Sequence, residues 1–293
     1  MVIYLNNKYY IGGLYISINS YDDEYFEKVL SSYQSDFSGD ADITITVTKS
    51  KNEINPQYTN LTRIGDGKYY CTSNGCDAII HHDSNLGKVI AFTVFDHDYS
   101  KVDITAYDVK ENCGISDLVF VHNLVGNAMR YVVMMHSGIV FHSSSVCCKD
   151  GGVAFSAESG TGKSTHTGLW LSQFDDAAIL NDDTPIIRLK SDGEVFIYGT
   201  PWAGTTGINL NREVPLKGVV FLSRAKENQI ERIETSKALK LFYEGINAPL
   251  NATMNLCVLD TLNSIMKSVP IYALGCNMDP EAAIVARQYI FNN

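Results

Sequence analysis

Positive charge is scarce in this chain. Lys and Arg number 23 against 33 Asp and Glu, which leaves a net charge of −10 and a pI near 5.1. General nucleic-acid binders and proteins held on anionic membranes depend on clustered Lys and Arg. A chain this acidic falls outside both classes, although a local basic pocket stays compatible with it. Long hydrophobic runs are missing too: stretches such as 132–135 and 218–222 are far shorter than the roughly 20 apolar residues that span a bilayer. The start, MVIYLNNKYYIGG, has neither a basic n-region nor an apolar core, so no secretory leader is expected. There is no CxxC, and the seven cysteines (71, 76, 113, 147, 148, 257 and 276) are odd in number. A disulfide framework or zinc site is therefore not expected, and reduced thiols in a cytoplasm are. No internal repeat or low-complexity linker is visible.

What is present divides near the middle. KYYIGGLYISI and ADITITVT alternate in the β manner, and residues 69–109 carry an Asn-Gly and an Asn-Leu-Gly turn between β-rich runs. One short helix is expected around 22–32. In GISDLVFVHNLVGNAMRYVVMMHSG, apolar residues at 118, 121, 125, 128, 129 and 132 recur at helical spacing. After it come a strand IVFHSSSVCC, a turn KDGG, a strand VAFS, a helix over 163–173 and a strand AAIL. Strands are expected at PIIRL, EVFIYG, GVVFLSRA, QIERIE and PIYALG, and helices over 235–246, over 251–268 and from Asp279. This reads as a β-rich N-terminal domain (1–112), a joining helix (113–138) and an α/β domain (139–293).

The chemistry is concentrated in SAESGTGKST, with a strand leading in and a helix leading out. Gly160 and Gly162 permit backbone conformations closed to other residues. Successive N–H groups of Ser159, Gly160, Thr161, Gly162, Lys163, Ser164 and Thr165 can then face phosphate oxygens at a helix N-terminus. Lys163 supplies a full charge for β- and γ-phosphates, and Ser164 a hydroxyl for Mg²⁺. The pattern GxxxxGKS/T is broken only at Ala157, a small residue that is harmless unless its φ must be positive. Asp182 and Asp183 follow Lys163 by 19 and 20 residues, one helix and one short strand. An adjacent parallel strand would bring both carboxylates beside the loop, one to hold Mg²⁺ and one to take a proton from an attacking hydroxyl. His142, 21 residues before Lys163 on the preceding strand, is a candidate phosphate or metal contact.

The set FHSSS, AESGTGKST and NDD resembles, in order and spacing, the HPr kinase and ATP-dependent phosphoenolpyruvate carboxykinase superfamily, whose members carry a histidine, a loop GxSGTGKS/T and an acidic pair. The likeness covers residues 140–205; beyond them the chain is similar only in style. It lacks the Arg-rich signature of HPr kinases and the basic substrate residues of the carboxykinases. The resemblance implies a P-loop kinase core with a mixed sheet, using ATP and Mg²⁺. By correspondence, Lys163 holds phosphate, Ser164 and Asp183 serve the metal, and Asp182 is the base. The expected function is transfer of a phosphoryl group to a hydroxyl of a peptide, protein or small metabolite. The β-rich domain would assist substrate recognition or homo-oligomer assembly. The alternatives are a carboxykinase-like lyase and a non-catalytic nucleotide-binding regulator.

Other residues invite weaker readings. Trp202, in GTPWAGTTG, could wall a substrate site or be an ordinary buried Trp. Arg212 could stabilise transferred charge or lie on the surface. His81 and His82 face opposite sides of a strand and can offer only one ligand to a shared metal.

Overall fold

The computed structural model describes residues 7–108 and 117–292, so Cys113 and the start of the expected joining helix lie outside it. The chain divides into two compact units, Met1–Met135 and His136–Asn293. It is a mixed α/β structure with two mixed sheets.

The first unit is built on strands β1 (Lys8–Ile11), β2 (Leu14–Ser20), β3 (Ile43–Ser50), β4 (Thr59–Gly65), β5 (Lys68–Ser73), β6 (Cys76–Asp83), β7 (Lys88–Phe95) and β8 (Lys101–Tyr107). Helix α1 (Asp23–Val29) follows β2, and α2 (Asp117–Met135) closes the unit. The sheet order is β1-β2-β3-β8-β7-β6-β5-β4. β2, β3 and β8 run parallel, and β4 to β8 form an antiparallel meander. Period-2 burial in β3 and β8 puts Ile43, Ile45, Val47, Val102 and Ile104 on the inner face. Asn74 and Gly75, between β5 and β6, both have positive φ (51° and 79°), as a two-residue hairpin turn requires.

Counting run lengths in the sequence underestimates α2. Its window Leu118–Met135 has mean hydropathy 1.2 and is long and apolar enough to cross a membrane by length and composition. Polar His122, Asn123, Asn127 and Arg130 break the runs but barely lower the average. Half of the window is buried, with Val121, Leu124, Val125 and Val132 in the core, as in a core helix.

The second unit contains β9 (Gly138–Val140), β10 (Ser144–Cys148), β11 (Gly151–Ser156), α3 (Lys163–Gln173), β12 (Ala178–Asn181), β13 (Ile186–Leu189), β14 (Val195–Tyr198), β15 (Glu213–Arg224), β16 (Gln229–Arg232), α4 (Thr235–Glu244), α5 (Ala252–Ser268), β17 (Ile271–Cys276) and α6 (Glu281–Phe291). Its sheet runs β12-β10-β11-β15-β14-β13-β9, with β17 also paired to β15 and β16 to β17. β11, whose six residues are all buried, lies beside β15 in parallel, and β15 lies beside β17 in parallel. Val153, Phe155, Val220, Leu222 and Leu274 from these strands pack with Trp170 of α3 and Ala283, Ala286 and Ile290 of α6.

Two expectations are corrected here. IVFHSSSVCC is not one strand: it breaks at 141–143 between β9 and β10. There the Phe141 and Ser143 N–H groups still donate to the Pro185 and Asp183 carbonyls in the β9–β13 register, but no bond returns: Pro185 has no N–H, and the Asp183 N–H goes to Asn181 Oδ1, while the His142 N–H turns away to the Gly245 carbonyl. His142 therefore sits in a break, not on a strand. Nor is β12 adjacent to β11. The tight turn after Cys148 folds β10 back as an antiparallel hairpin with β11, and β12 pairs with the far edge of β10. Six cysteines are free among the described residues.

Candidate functional site

The loop leaving β11 turns on two glycines. Gly160 has φ 76° and Gly162 φ 122°, a region that strains any residue with a Cβ. Ala157 does not share it: the non-glycine residues with positive φ among those described are Asn60, Asn74, Tyr99 and Ser137. α3 starts at once after Gly162 with no side-chain cap, whereas Asp22 caps α1 and Asn251 caps α5. The first N–H groups of a helix have no partner within it, so α3 leaves donors and its positive dipole end at the loop. Ser159, Gly160, Ser164 and Thr165 are exposed there, and Thr161 and Gly162 half-buried.

Lys163 turns back over this loop. Its Nζ donates to the Ala157 carbonyl at 3.0 Å and lies 3.1 Å from His142 Nε2. Burial holds its pKa below the usual lysine value, opposed by the charges of Asp183 and Asp182. An ammonium can only donate, so Nε2 of His142 accepts and the ring proton sits on Nδ1. That atom lies 3.3 Å from Asp183 Oδ1. Lys163, His142 and Asp183 thus form a continuous polar line, with His142 and Asp183 side chains 45% and 34% exposed.

Asp182 points elsewhere. It is 8% exposed and accepts from Ser144 Oγ at 2.6 Å. Ser144 Oγ also lies 3.0 Å from Thr167 Oγ1, one turn along α3 from Ser164. Asn181 sets the divergence of the pair. Its Oδ1 accepts from the N–H groups of Asp183 (2.9 Å) and Thr184 (2.7 Å), a side-chain turn typical of Asn. Its Nδ2 donates to Thr200 O at 2.9 Å and Thr200 Oγ1 at 3.0 Å. Thr184 Oγ1 and Thr200 Oγ1 both donate to the Trp202 carbonyl.

Sequence reasoning missed four members of this cluster: Ser144, Thr167, Asn181 and Arg224. Serines in a strand, and an Asn before two carboxylates, were the available signals for Ser144 and Asn181. Arg224 ends β15, and its Nη2 donates to the Gly160 carbonyl at 2.7 Å. Trp202 is half-buried in the loop that Asn181 anchors. Arg212 is exposed, with Nη1 3.7 Å from Cys147 Sγ. His81 is buried opposite Lys68, and burial, helped by that charge, pushes its pKa down to about 4. Among the described residues, Cys148, Asp150 and Asp176 have ligand-type atoms within 4.8 Å of one another. Arg287 already pairs there with Asp176 at 2.7 Å and Asp150 at 3.6 Å.

Two cavities flank the loop. One, about 600 Å³, is lined by His142, Ala157, Glu158, Ser159 and Glu244 among others; the second, about 480 Å³, by Gly162, Thr165, Leu169, Cys276 and Met278 among others.

No family model matches the chain, and no curated protein matches it. Among solved structures, the HPr(Ser) kinase/phosphatase from Coxiella burnetii matches 51% of this chain and 95% of its own, at 13% identity and a TM-score of 0.29. That likeness is too loose to bear on function, which rests on the side chains.

Proposed function

We propose that the second unit is an ATP- and Mg²⁺-dependent kinase that transfers the γ-phosphoryl group to a hydroxyl of a peptide, protein or small metabolite. The observation that carries this reading is the line Lys163–His142–Asp183 closing over a positive-φ glycine loop at an uncapped helix N-terminus. The loop amides and Lys163 suit the charge of a phosphate chain. The donors around Ser164 and Asp182 are all oxygens, the set Mg²⁺ takes. Bound there, Mg²⁺ would neutralise charge on the phosphates.

In the transfer, the acceptor oxygen forms a bond to the γ-phosphorus as the bond to the β–γ bridging oxygen breaks, and ADP leaves. The acceptor's proton must go to a base. Correspondence with the resembling family gave that role to Asp182 and the metal to Asp183. The surroundings of the two favour the reverse. Asp183 is partly exposed beside His142, whereas Asp182 is buried and anchored through Ser144 against the first turns of α3. His142 would hold Asp183 in place, and the first unit would recognise the acceptor or build a homo-oligomer. Neither nucleic acid nor membrane has a role in this reading.

Asp182→Asn and Asp183→Asn separate the roles when Mg-ATP binding and ADP release are measured independently. Asp183→Asn is expected to cut turnover by about 10²–10⁴-fold and leave affinity nearly intact. Asp182→Asn is expected to weaken Mg²⁺-dependent binding, with partial recovery at high Mg²⁺ or Mn²⁺. The opposite pattern restores Asp182 as the base. Two variants that bind and turn over like the parent would end the kinase reading.

A further inference from the structure

Arg224 has no part in the chemistry above. It is exposed at the end of β15, yet it is held: Nη2 donates to the Gly160 carbonyl at 2.7 Å, and Nε donates to the Thr161 carbonyl at 3.5 Å. A guanidinium carries five N–H donors in one plane. Two used on the loop leave its flat faces unused. Arg224 is also a wall common to both cavities beside the loop.

The cavities differ in character. His142 lines the larger, so the reacting end of a phosphate chain held by Lys163 belongs on that side. The smaller, about 480 Å³, opens where α3 begins, and neither carboxylate nor lysine lines it. Leu169, Leu222 and Cys276 form apolar wall there, and Met278, 77% exposed, stands at the same cavity. A large exposed Met beside an arginine plane and an apolar wall suits a flat, aromatic, weakly hydrated group.

Resting on the nucleotide reading, we propose that Arg224 is the platform on which the nucleobase stacks. Its bond to Gly160 fixes the guanidinium plane and ties the base to the same loop that holds the phosphates, and Met278 covers the opposite face of the base. Arginine suits this because its cation is planar and sheds water more easily than an ammonium. Lysine could keep the charge and the carbonyl bond but could not offer the plane.

The test is calorimetry with two probes, Mg-ATP and Mg-tripolyphosphate, on the parent, Arg224→Ala and Arg224→Lys. The parent is expected to prefer ATP. Arg224→Ala is expected to weaken ATP roughly 5- to 30-fold, the range of a cation stacked on a ring, and tripolyphosphate less than about 3-fold. Arg224→Lys is expected to fall between for ATP. Equal losses for both probes would mean that Arg224 serves phosphate or loop geometry, and the platform is overturned. Unchanged ATP affinity, or a parent that holds tripolyphosphate as tightly as ATP, overturns it as well. A parent that binds neither probe refutes the nucleotide site itself, and the platform with it. Arg224 is exposed, so folding is expected to survive; melting curves check this, and the Lys variant decides alone if the Ala variant does not fold.

Discussion

The two units bury polar side chains very differently. Among the described residues, the first unit buries Ser73, His81 and Thr93, which are scattered over its sheet. The second buries His166 and Thr261 on its helices, and Ser143, Ser144, Ser145, Ser156, Thr167, Asn181, Asp182, Thr184 and Thr200, most of them hydrogen-bonded to one another. A buried hydroxyl or amide destabilises a fold unless it is hydrogen-bonded. A β-sheet core has no need of such a cluster, as the first unit demonstrates with Ile, Val and Phe. The contrast teaches that the second unit spends its interior on holding Asp182, Asp183 and the Trp202 loop in one arrangement, which is the expected mark of a preorganised site.

The sharpest way to break this comparison is to cut the hub of each unit. In the second unit that is Asn181, buried and bonded to Asp183, Thr184 and Thr200. Asn181→Ala is expected to lower unfolding free energy by about 2–4 kcal/mol and to reduce turnover, because Asp183 loses the turn that aims it. In the first unit, Asp77 accepts from the hydroxyls of Tyr70 and Tyr99, each at 2.6 Å. Asp77→Ala is expected to lower stability less and to leave Mg-ATP affinity unchanged. Denaturant titration and calorimetry on both variants decide. If Asn181→Ala costs stability but leaves turnover untouched, the cluster is structural, and the contrast between units says nothing about a site.

A smaller effect separates the units by pH. Each buries one neutral histidine: His81 in the first and His166 in the second, both pushed down to about 4, chiefly by burial. His166 Nε2 accepts from Trp170 Nε1 at 3.2 Å, so its proton sits on Nδ1, which is buried without a partner. An unfolded histidine takes up a proton near pH 6.5, whereas these wait until about 4. Between those values the unfolded chain binds more protons, so stability rises with pH. Each group's contribution is complete above pH 6.5 and is lost as pH falls toward 4, up to about 3 kcal/mol apiece. Denaturant midpoints from pH 7 to 4, compared between the parent, His81→Phe and His166→Phe, should each recover part of the acid loss. A parent curve that is flat over this range rules out both buried neutral rings.

Much of this was open to reading from the chain. Alternation marked the strands of the first unit because one face of its sheet is buried and the other is not. The loop and the acidic pair stood out because phosphate and metal binding, the role proposed for them, calls for residue types at short, fixed spacing. The strand order was not. Spacing placed β12 next to β11, but the hairpin β10–β11 inserts a strand between them, and Ser144 on that strand is what grips Asp182. Arg224 was invisible for a related reason. It lies 64 residues from Gly160, and only the parallel pairing of β15 with β11 brings it to the loop. His142 was misplaced by pattern: the apolar alternation runs on through 141–143, while the His142 N–H turns to Gly245 and neither Pro185 nor Asp183 returns a bond to that stretch.

The smallest predicted effect tests the one place where the loop departs from its expected pattern. Ala157 stands where the motif has glycine, and it makes two contacts. Its carbonyl accepts from Lys163 Nζ at 3.0 Å, and its side chain packs against the core cluster around Phe155 and Trp170. The first contact belongs to the backbone and survives any side chain. The second belongs to the methyl group alone. Because Ala157 is not among the residues with positive φ, glycine relieves no strain there. Ala157→Gly should therefore lose a partly buried methyl and add chain entropy to the unfolded state, about 1 kcal/mol of stability together. Its Mg-ATP affinity should stay within about 3-fold of the parent, since one methyl group is worth little more than that factor. Melting curves and calorimetry on the same preparation measure both. A tenfold gain in affinity would mean that alanine holds the loop in a poorer shape than glycine would, and the departure at 157 would then be a brake on the site.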